Sequence, residues 1–266
     1  MINCYAQNRS FKYGDGLFET MRVSKGQILF FDDHYARLQL GFEALGYYEG
    51  RVKKQEFYDL VYDFIKKHQN LCADMRVRVT FFRKGGGLYT PNSSKCDYAI
   101  EYKCIDSSSY IDYKTNCTVD LVPDLVLSCD AYSNLKTTSA LAYVLAGLYK
   151  KRERLNDVLL QNAYGYIAEA QAANVFVYKN GYLYTPSLDQ GCIKGVMREQ
   201  ILKLGAQIGL KTIQKEIKLE ELYDADEIIL TNTIQGLRSV TQIRGNAKVY
   251  NQKMRRRLLT VLNTSL

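Results

Sequence analysis

The stretch Gly165-Tyr166-Ile167-Ala168-Glu169-Ala170-Gln171-Ala172-Ala173-Asn174-Val175-Phe176 decides how the second half of this chain is read. It places one carboxylate, Glu169, in a hairpin setting just before the strand Asn174-Val175-Phe176-Val177-Tyr178. Lys179-Asn180-Gly181 then turns that strand into Tyr182-Leu183-Tyr184. Working outward, Asp157-Val158-Leu159-Leu160 and residues 226–231 read as further strands, and residues 196–210 as a helix ending at Gly209-Leu210. This half is β-rich with inserted helices.

Upstream, Glu19-Thr20-Met21-Arg22-Val23 and Gln27-Ile28-Leu29-Phe30-Phe31 flank Ser24-Lys25-Gly26, a hairpin signal. Asp32-Asp33 offers an N-cap for a helix that carries Leu38, Leu40, Phe42 and Leu45 and stops at Gly46. A second helix over 52–69 sets Phe57, Leu60, Val61 and Phe64 on one face, and residues 75–82 alternate as a half-buried strand. The loop Gly85-Gly86-Gly87 leads to the strand Tyr98-Ala99-Ile100-Glu101-Tyr102. A linker opens at Asp106-Ser107-Ser108-Ser109 and ends by Pro123. The expected fold class is α+β in two domains. A smaller N-terminal α+β domain covers 1–115, and a larger C-terminal β-rich domain with helices, carrying Lys136, covers 116–266.

Of the 266 residues 47% are apolar, enough for each domain to bury a core. No run approaches the ~20 apolar residues of a membrane span, and the N-terminal residues do not read as a signal peptide. The seven cysteines, Cys4, Cys72, Cys96, Cys104, Cys117, Cys129 and Cys192, are scattered and form no C-x-x-C pair. Neither a disulfide framework nor a zinc site is expected, and reduced thiols in the cytoplasm are the simplest account. A net charge of +8 would suit nucleic acid. The basic residues are spread out, however, apart from Lys150-Lys151-Arg152-Glu153-Arg154 and Lys253-Met254-Arg255-Arg256-Arg257, and both runs read as solvated helix faces. No nucleic-acid or membrane partner is expected. A modest positive field does attract anionic substrates and phosphate-bearing cofactors.

With His34 and His68 as the only histidines, serine–histidine and histidine–metal chemistries are poorly supplied, and no metal is expected. A lysine nucleophile is the alternative. Lys136 lies in Leu135-Lys136-Thr137-Thr138-Ser139, between a strand-like run and an apolar helix carrying Leu141, Val144, Leu145 and Leu148. Thr137, Thr138 or Ser139 would cap that helix. A lysine amine near the positive end of a helix and partly desolvated is suited to attack an aldehyde. On local features alone, a surface lysine in a loop is the simpler reading.

Seven segments in order change that balance. They are Tyr13-Gly14-Asp15-Gly16-Leu17-Phe18-Glu19-Thr20, His34-Tyr35-Ala36-Arg37-Leu38, Leu135-Lys136-Thr137, the stretch 165–176, Tyr184-Thr185-Pro186, Gly195-Val196-Met197-Arg198, and Ala225-Asp226-Glu227 running on to Thr233. Together they resemble the motifs of the class IV aminotransferases over nearly the whole chain. The resemblance implies fold type IV, the D-amino acid aminotransferase-like fold, as a homodimer that uses pyridoxal 5'-phosphate. It implies that Lys136 holds the cofactor as a Schiff base and serves as the base at the substrate Cα. Glu169 would keep the pyridine nitrogen protonated. Arg37 would grip the phosphate bidentately, with the amides of Val196 and Met197 and the hydroxyl of Thr233 completing the anion site. Tyr13, Arg83 and Tyr89 are the implied substrate-binding residues.

Three activities dominate that family: branched-chain aminotransferase, D-amino acid aminotransferase and 4-amino-4-deoxychorismate lyase. Ala140 and Leu141 stand where branched-chain enzymes carry a tyrosine, and the loop Arg83–Tyr89 lacks the histidine of the D-amino acid enzymes. Met197 and Leu188-Asp189-Gln190-Gly191 resemble the lyase, whereas Glu19 and Leu88 depart from it. Amino transfer between an amino acid and a 2-oxo acid is the expected activity. The alternative is the lyase reaction, which releases pyruvate and 4-aminobenzoate. A silent cofactor-binding protein would be expected to lose Lys136 or Glu169, and both are present.

Overall fold

The computed structural model describes residues 8–107, 109–112 and 116–266. Cys4, Ser108 and linker residues 113–115, where the expected domain boundary falls, lie outside the described residues. The chain forms two compact units. One comprises Met1–Ser109 with Leu135–Ala140, the other Tyr110–Asn134 with Leu141–Leu266. Lys136, expected in the C-terminal domain, therefore packs with the N-terminal unit.

In the first unit, α1 (Arg9–Tyr13), β1 (Gly16–Ser24), β2 (Gln27–Ile28), α2 (Phe31–Ala44), α3 (Lys54–His68), β3 (Met75–Arg83) and β4 (Cys96–Cys104) follow in order. The strands form one antiparallel sheet, β2-β1-β3-β4, with β1 and β3 paired from Gly16↔Phe82 to Val23↔Met75. Alternation along β3 buries Met75, Val77, Val79 and Phe81 with Phe42, Phe57 and Val61 from the helices, and leaves Arg76, Arg78 and Thr80 on the half-buried face. β2 pairs only with Val23 and Ser24, so the start of β1 keeps an open edge. Residues 135–140 fill it: Thr137 bridges Leu17, the Phe18 amide donates to the Lys136 carbonyl at 3.0 Å, and the Thr138 amide to the Gly16 carbonyl at 2.9 Å.

Two expectations are corrected here. The N-cap of α2 is Phe30 in the left-handed region (φ 55°), with no side-chain cap, whereas Asp32 and Asp33 sit in the first turn, where their charge favours the helix dipole. Cys72 and Cys104, expected as free thiols, form a disulfide with Cα atoms 5.6 Å apart. The Met75↔Cys104 register brings the end of β4 beside the chain leaving α3, a proximity that a separation of 32 residues does not announce.

The second unit contains β5 (Thr118–Leu127), α4 (Leu141–Arg152), β6 (Asp157–Asn162), β7 (Ile167–Ala170), β8 (Asn174–Lys179), β9 (Tyr182–Pro186), α5 (Val196–Gln207), β10 (Thr212–Lys215), α6 (Leu219–Tyr223), β11 (Glu227–Asn232), β12 (Gly236–Val240), β13 (Gln242–Ile243) and α7 (Lys253–Thr264). They build two mixed sheets, β13-β5-β6-β7 and β10-β9-β8-β11-β12. Val119, Leu159, Ile167, Val175, Val177, Ile228, Leu230 and Val240 share one core, so the two sheets pack face to face. α5 stops at Gln207, short of the expected Leu210, because Gly209 takes a positive φ of 70°. No helix among the described residues is long and apolar enough to cross a membrane.

Candidate active site

Neighbouring residues of β1 face opposite sides of their sheet, and each side carries a candidate group. Phe18 receives Lys136, whose Nζ lies 4.6 Å from the ring centroid, and the Arg78 guanidinium stands 3.8 Å from the same ring. The sequence reading missed Arg78, although its place in the alternation of β3 was visible. Its Nε donates to Thr80 Oγ1 at 3.2 Å.

Glu19 points the other way, into the helices, and is buried with His34 and Arg37. Arg37 donates from Nε to Oε1 at 2.9 Å and from Nη2 to Oε2 at 2.6 Å, and His34 Nδ1 meets Oε2 at 2.6 Å. Burial pushes the Glu19 carboxyl up. The Arg37 charge and the hydrogen bonds from His34 and Arg37 outweigh it and hold the pKa at about 2. His34 is lowered, chiefly by burial, and is neutral at pH 7. Its Nδ1 then carries the proton donated to Glu19, which leaves Nε2 as a buried lone pair with no hydrogen-bond partner among the described residues. Arg37, expected as the phosphate grip, is thus held bidentately by Glu19 on the side of the sheet opposite Phe18.

Arg83 has a different setting from the one expected. On the core side of β3 it is 5% exposed, donates to Asp15 Oδ2 at 3.0 Å and Gly46 O at 3.1 Å, and also reaches Leu45 O. It ties the end of α2 to the Asp15 turn. Arg9, bound to Asp15 at 2.8 Å, holds the glycine loop by its carbonyls, that of Leu88 at 2.6 Å. Tyr13 and Tyr89 pair their rings at 5.7 Å, with Tyr89 almost fully exposed. Thr138, expected as a helix cap, instead donates to the Gly14 carbonyl at 2.9 Å.

In the second unit Glu169 sits on β7, 4% exposed. Its Oε1 accepts from the Tyr143 hydroxyl at 2.5 Å and its Oε2 from the Ile193 amide at 3.2 Å. The N-terminus of α5, at Gly195, has no side-chain cap, and Val196 and Met197 are buried there. A Cβ on Gly195 would lie 2.0 Å from Asn174 Oδ1. Asn174 is itself fixed by donating to Thr231 O at 2.8 Å and Oγ1 at 3.1 Å. Only glycine lets the helix start this close to β8. Arg198 is buried and donates to Pro186 O and Gln214 Oε1, so this last residue of its motif is structural. Thr233 lies in the turn between β11 and β12, its carbonyl accepting from Tyr110 at 2.8 Å. Among the described residues no cluster could hold a metal.

Residues 16–243 match the model of the amino-transferase class IV family. The chain belongs to the class IV aminotransferases. It is 28% identical over 247 residues to a putative branched-chain-amino-acid aminotransferase of Methanocaldococcus jannaschii, covering 91% of this chain and 82% of that protein. It is 27% identical over 249 residues to the aminodeoxychorismate lyase of Bacillus subtilis, covering 89% and 80%. The crystal structure of a putative 4-amino-4-deoxychorismate lyase from Legionella pneumophila shares the fold, with a TM-score of 0.88 at 21% identity over 98% of this chain and 94% of that one. The α+β fold type IV expectation holds, and the cofactor of this enzyme family is pyridoxal 5'-phosphate. The residues present fit that group by chemistry. The start of α5, which has no side-chain cap and is seated by Gly195, would suit an anionic group, and the buried carboxylate of Glu169 would suit a ring nitrogen.

Proposed function

We propose that this class IV aminotransferase moves an amino group between an amino acid and a 2-oxo acid, with Lys136 as the cofactor lysine. The observation that carries the assignment is the lodging of Lys136 on the open edge of β1. Backbone bonds on either side of it fix the residue, and its amine lies against Phe18. Pyridoxal phosphate, when bound, supplies an aldehyde that captures amines and a ring that accepts electron density from Cα.

The chain's own residues do the rest. Lys136 Nζ anchors the aldehyde and moves the proton taken from the substrate Cα. Glu169 holds a proton at the ring nitrogen. The amides of Val196 and Met197 and the Thr233 hydroxyl bind the phosphate, and Arg37 is kept with them on the family motif alone, since its Nε and Nη2 already serve Glu19. Arg78, which shares the Phe18 ring with Lys136, takes the substrate carboxylate in place of Arg83, whose donors serve Asp15 and the end of α2. Tyr13 and Tyr89 line the substrate side as a ring pair.

We assign a homodimer to the chain because α4 presents Leu141, Val144, Leu145 and Leu148 as one stripe, each 46–69% exposed. We place it in the cytoplasm on the free thiols of Cys96, Cys117, Cys129 and Cys192, although the Cys72–Cys104 disulfide counts the other way. The lyase reading stands second, since the relatives of the two activities are about equally similar to this chain, at 28% and 27% identity. Protein loaded with pyridoxal phosphate is tested for amino transfer from a panel of amino acids to 2-oxoglutarate, and for pyruvate release from aminodeoxychorismate. Transfer that depends on the 2-oxo acid is expected. Stoichiometric pyruvate and 4-aminobenzoate without transfer would establish the lyase instead.

A further inference from the structure

Tyr143 stands seven residues after Lys136 in the sequence, on the inward side of α4. The helix is held there by Ala146, fully buried in a cluster with Val122, Leu127, Val158, Leu160 and Ala168, against which Tyr143 itself packs. Gln171 adds a second tie, donating to the Tyr143 carbonyl at 3.1 Å from the turn that follows β7. Gly147 permits it, because a Cβ there would come within 2.4 Å of the Gln171 amide nitrogen. The tyrosine ring is therefore set by the backbones on both sides of it.

Its hydroxyl ends on Glu169 Oε1 at 2.5 Å, while the Ile193 amide meets Oε2 at 3.2 Å. A carboxylate that receives one donor on each oxygen has its plane and its rotamer fixed. The donors also stabilise the anion over the acid, in a site only 4% exposed.

We propose that Tyr143 is a positioning residue of the reaction, which orients Glu169 and keeps it anionic so that the proton between Glu169 and the cofactor rests on the ring nitrogen. The inference rests on the assignment of Glu169 to that nitrogen. Burial, followed by the Glu169 charge, pushes the phenol's own pKa up, so Tyr143 remains a donor throughout the working pH range. Without this donor, negative charge on Glu169 is less stable and the proton shifts toward the carboxylate. The ring then withdraws electrons less strongly from Cα.

The test uses the holoenzyme loaded with pyridoxal phosphate labelled with 15N in the ring, whose resonance reports the nitrogen's protonation. In Tyr143→Phe the resonance should move toward the unprotonated position, and kcat should fall about ten-fold with the amino-donor KM changed less than about two-fold. Lys151→Ala, at an exposed position of the same helix outside its apolar stripe, should change neither. Glu169→Gln is measured alongside. If it moves the resonance and Tyr143→Phe does not, the role of Tyr143 is overturned while that of Glu169 stands. If Glu169→Gln leaves the resonance in place, the assignment of Glu169 falls and the inference with it. Should Tyr143→Phe fail to fold, 3-fluorotyrosine at position 143 keeps the shape and makes a stronger donor. The resonance should then sit at or beyond the wild-type protonated position, and a move toward the unprotonated one would overturn the proposal.

Discussion

Replacing Glu19 by Gln removes the single negative charge that His34 and Arg37 share in the interior of the first unit. The carboxyl titrates at about 2 in the folded chain, against an ordinary value of 4.5. That gap corresponds to about 3 kcal/mol of stability at neutral pH. The direction follows from the sign. A folded pKa below the unfolded one stabilises above about pH 4.5, and the contribution fades as the pH falls through 2. By pH 3 it should have shrunk to about 1.4 kcal/mol, because the unfolded carboxyl is then protonated and the folded one only partly. A separate route gives a similar size: breaking a buried pair by removing one partner costs about 3–5 kcal/mol, since Arg37 is left charged and under-compensated.

Burial lowers the His34 pKa as well, so both proteins, with and without Glu19→Gln, should carry His34→Gln, whose amide still donates to Glu19 but holds no titrating proton. Urea denaturation read by hydrogen exchange at the amides of β1 and α2 reports this unit by itself. The stability difference between the two proteins should be about 3 kcal/mol at pH 7 and less than half of that at pH 3. A difference below about 1 kcal/mol at pH 7, or one that does not diminish toward pH 3, would refute the claim that an ionised Glu19 holds the cluster together.

Borohydride reduction of the loaded protein followed by peptide mapping should put the cofactor on Lys136, and a label on another lysine would refute the assignment. Arg37→Ala should weaken pyridoxal phosphate binding about ten- to a hundred-fold in a titration of apo-protein, and an unchanged Kd would make Arg37 a purely structural partner of Glu19. Gly195→Ala drives a methyl into Asn174, so α5 must shift. A loss of about 1–3 kcal/mol in thermal unfolding is expected, together with weaker phosphate binding, and an unchanged melting curve would contradict the close seat.

What the sequence discloses and what it conceals divide along a physical line. Strand alternation is local, so residues 75–82 read correctly, and the same parity already separates Arg83, on the core side with Phe81, from Arg78, on the side with Thr80. The reading that assigned Arg83 to substrate followed loop position rather than that parity. The pairing of Glu19 with Arg37 joins a strand to a helix 18 residues on, and no periodicity predicts which carboxylate a buried guanidinium will find. The entry of α2 was misjudged for a related reason. Asp32-Asp33 has the composition of a cap, but the left-handed turn at Phe30 is a backbone state that a Phe side chain does not advertise. On α4 the sequence marks the apolar residues without saying which way they face. Leu141, Val144, Leu145 and Leu148 mark an apolar stripe, and in this chain that stripe faces outward. The inward side is chosen by small and polar residues: Ala146 fits the sheet, Gly147 admits Gln171, and Tyr143 finds Glu169. A polar side chain is buried only where a partner awaits it, and an apolar stripe left outside calls for a second surface. On the readings proposed above, both halves of α4 bear on function, the outer for assembly and the inner for the carboxylate. Exchanging their polarity would leave Glu169 without its donor and the stripe without a reason to face outward.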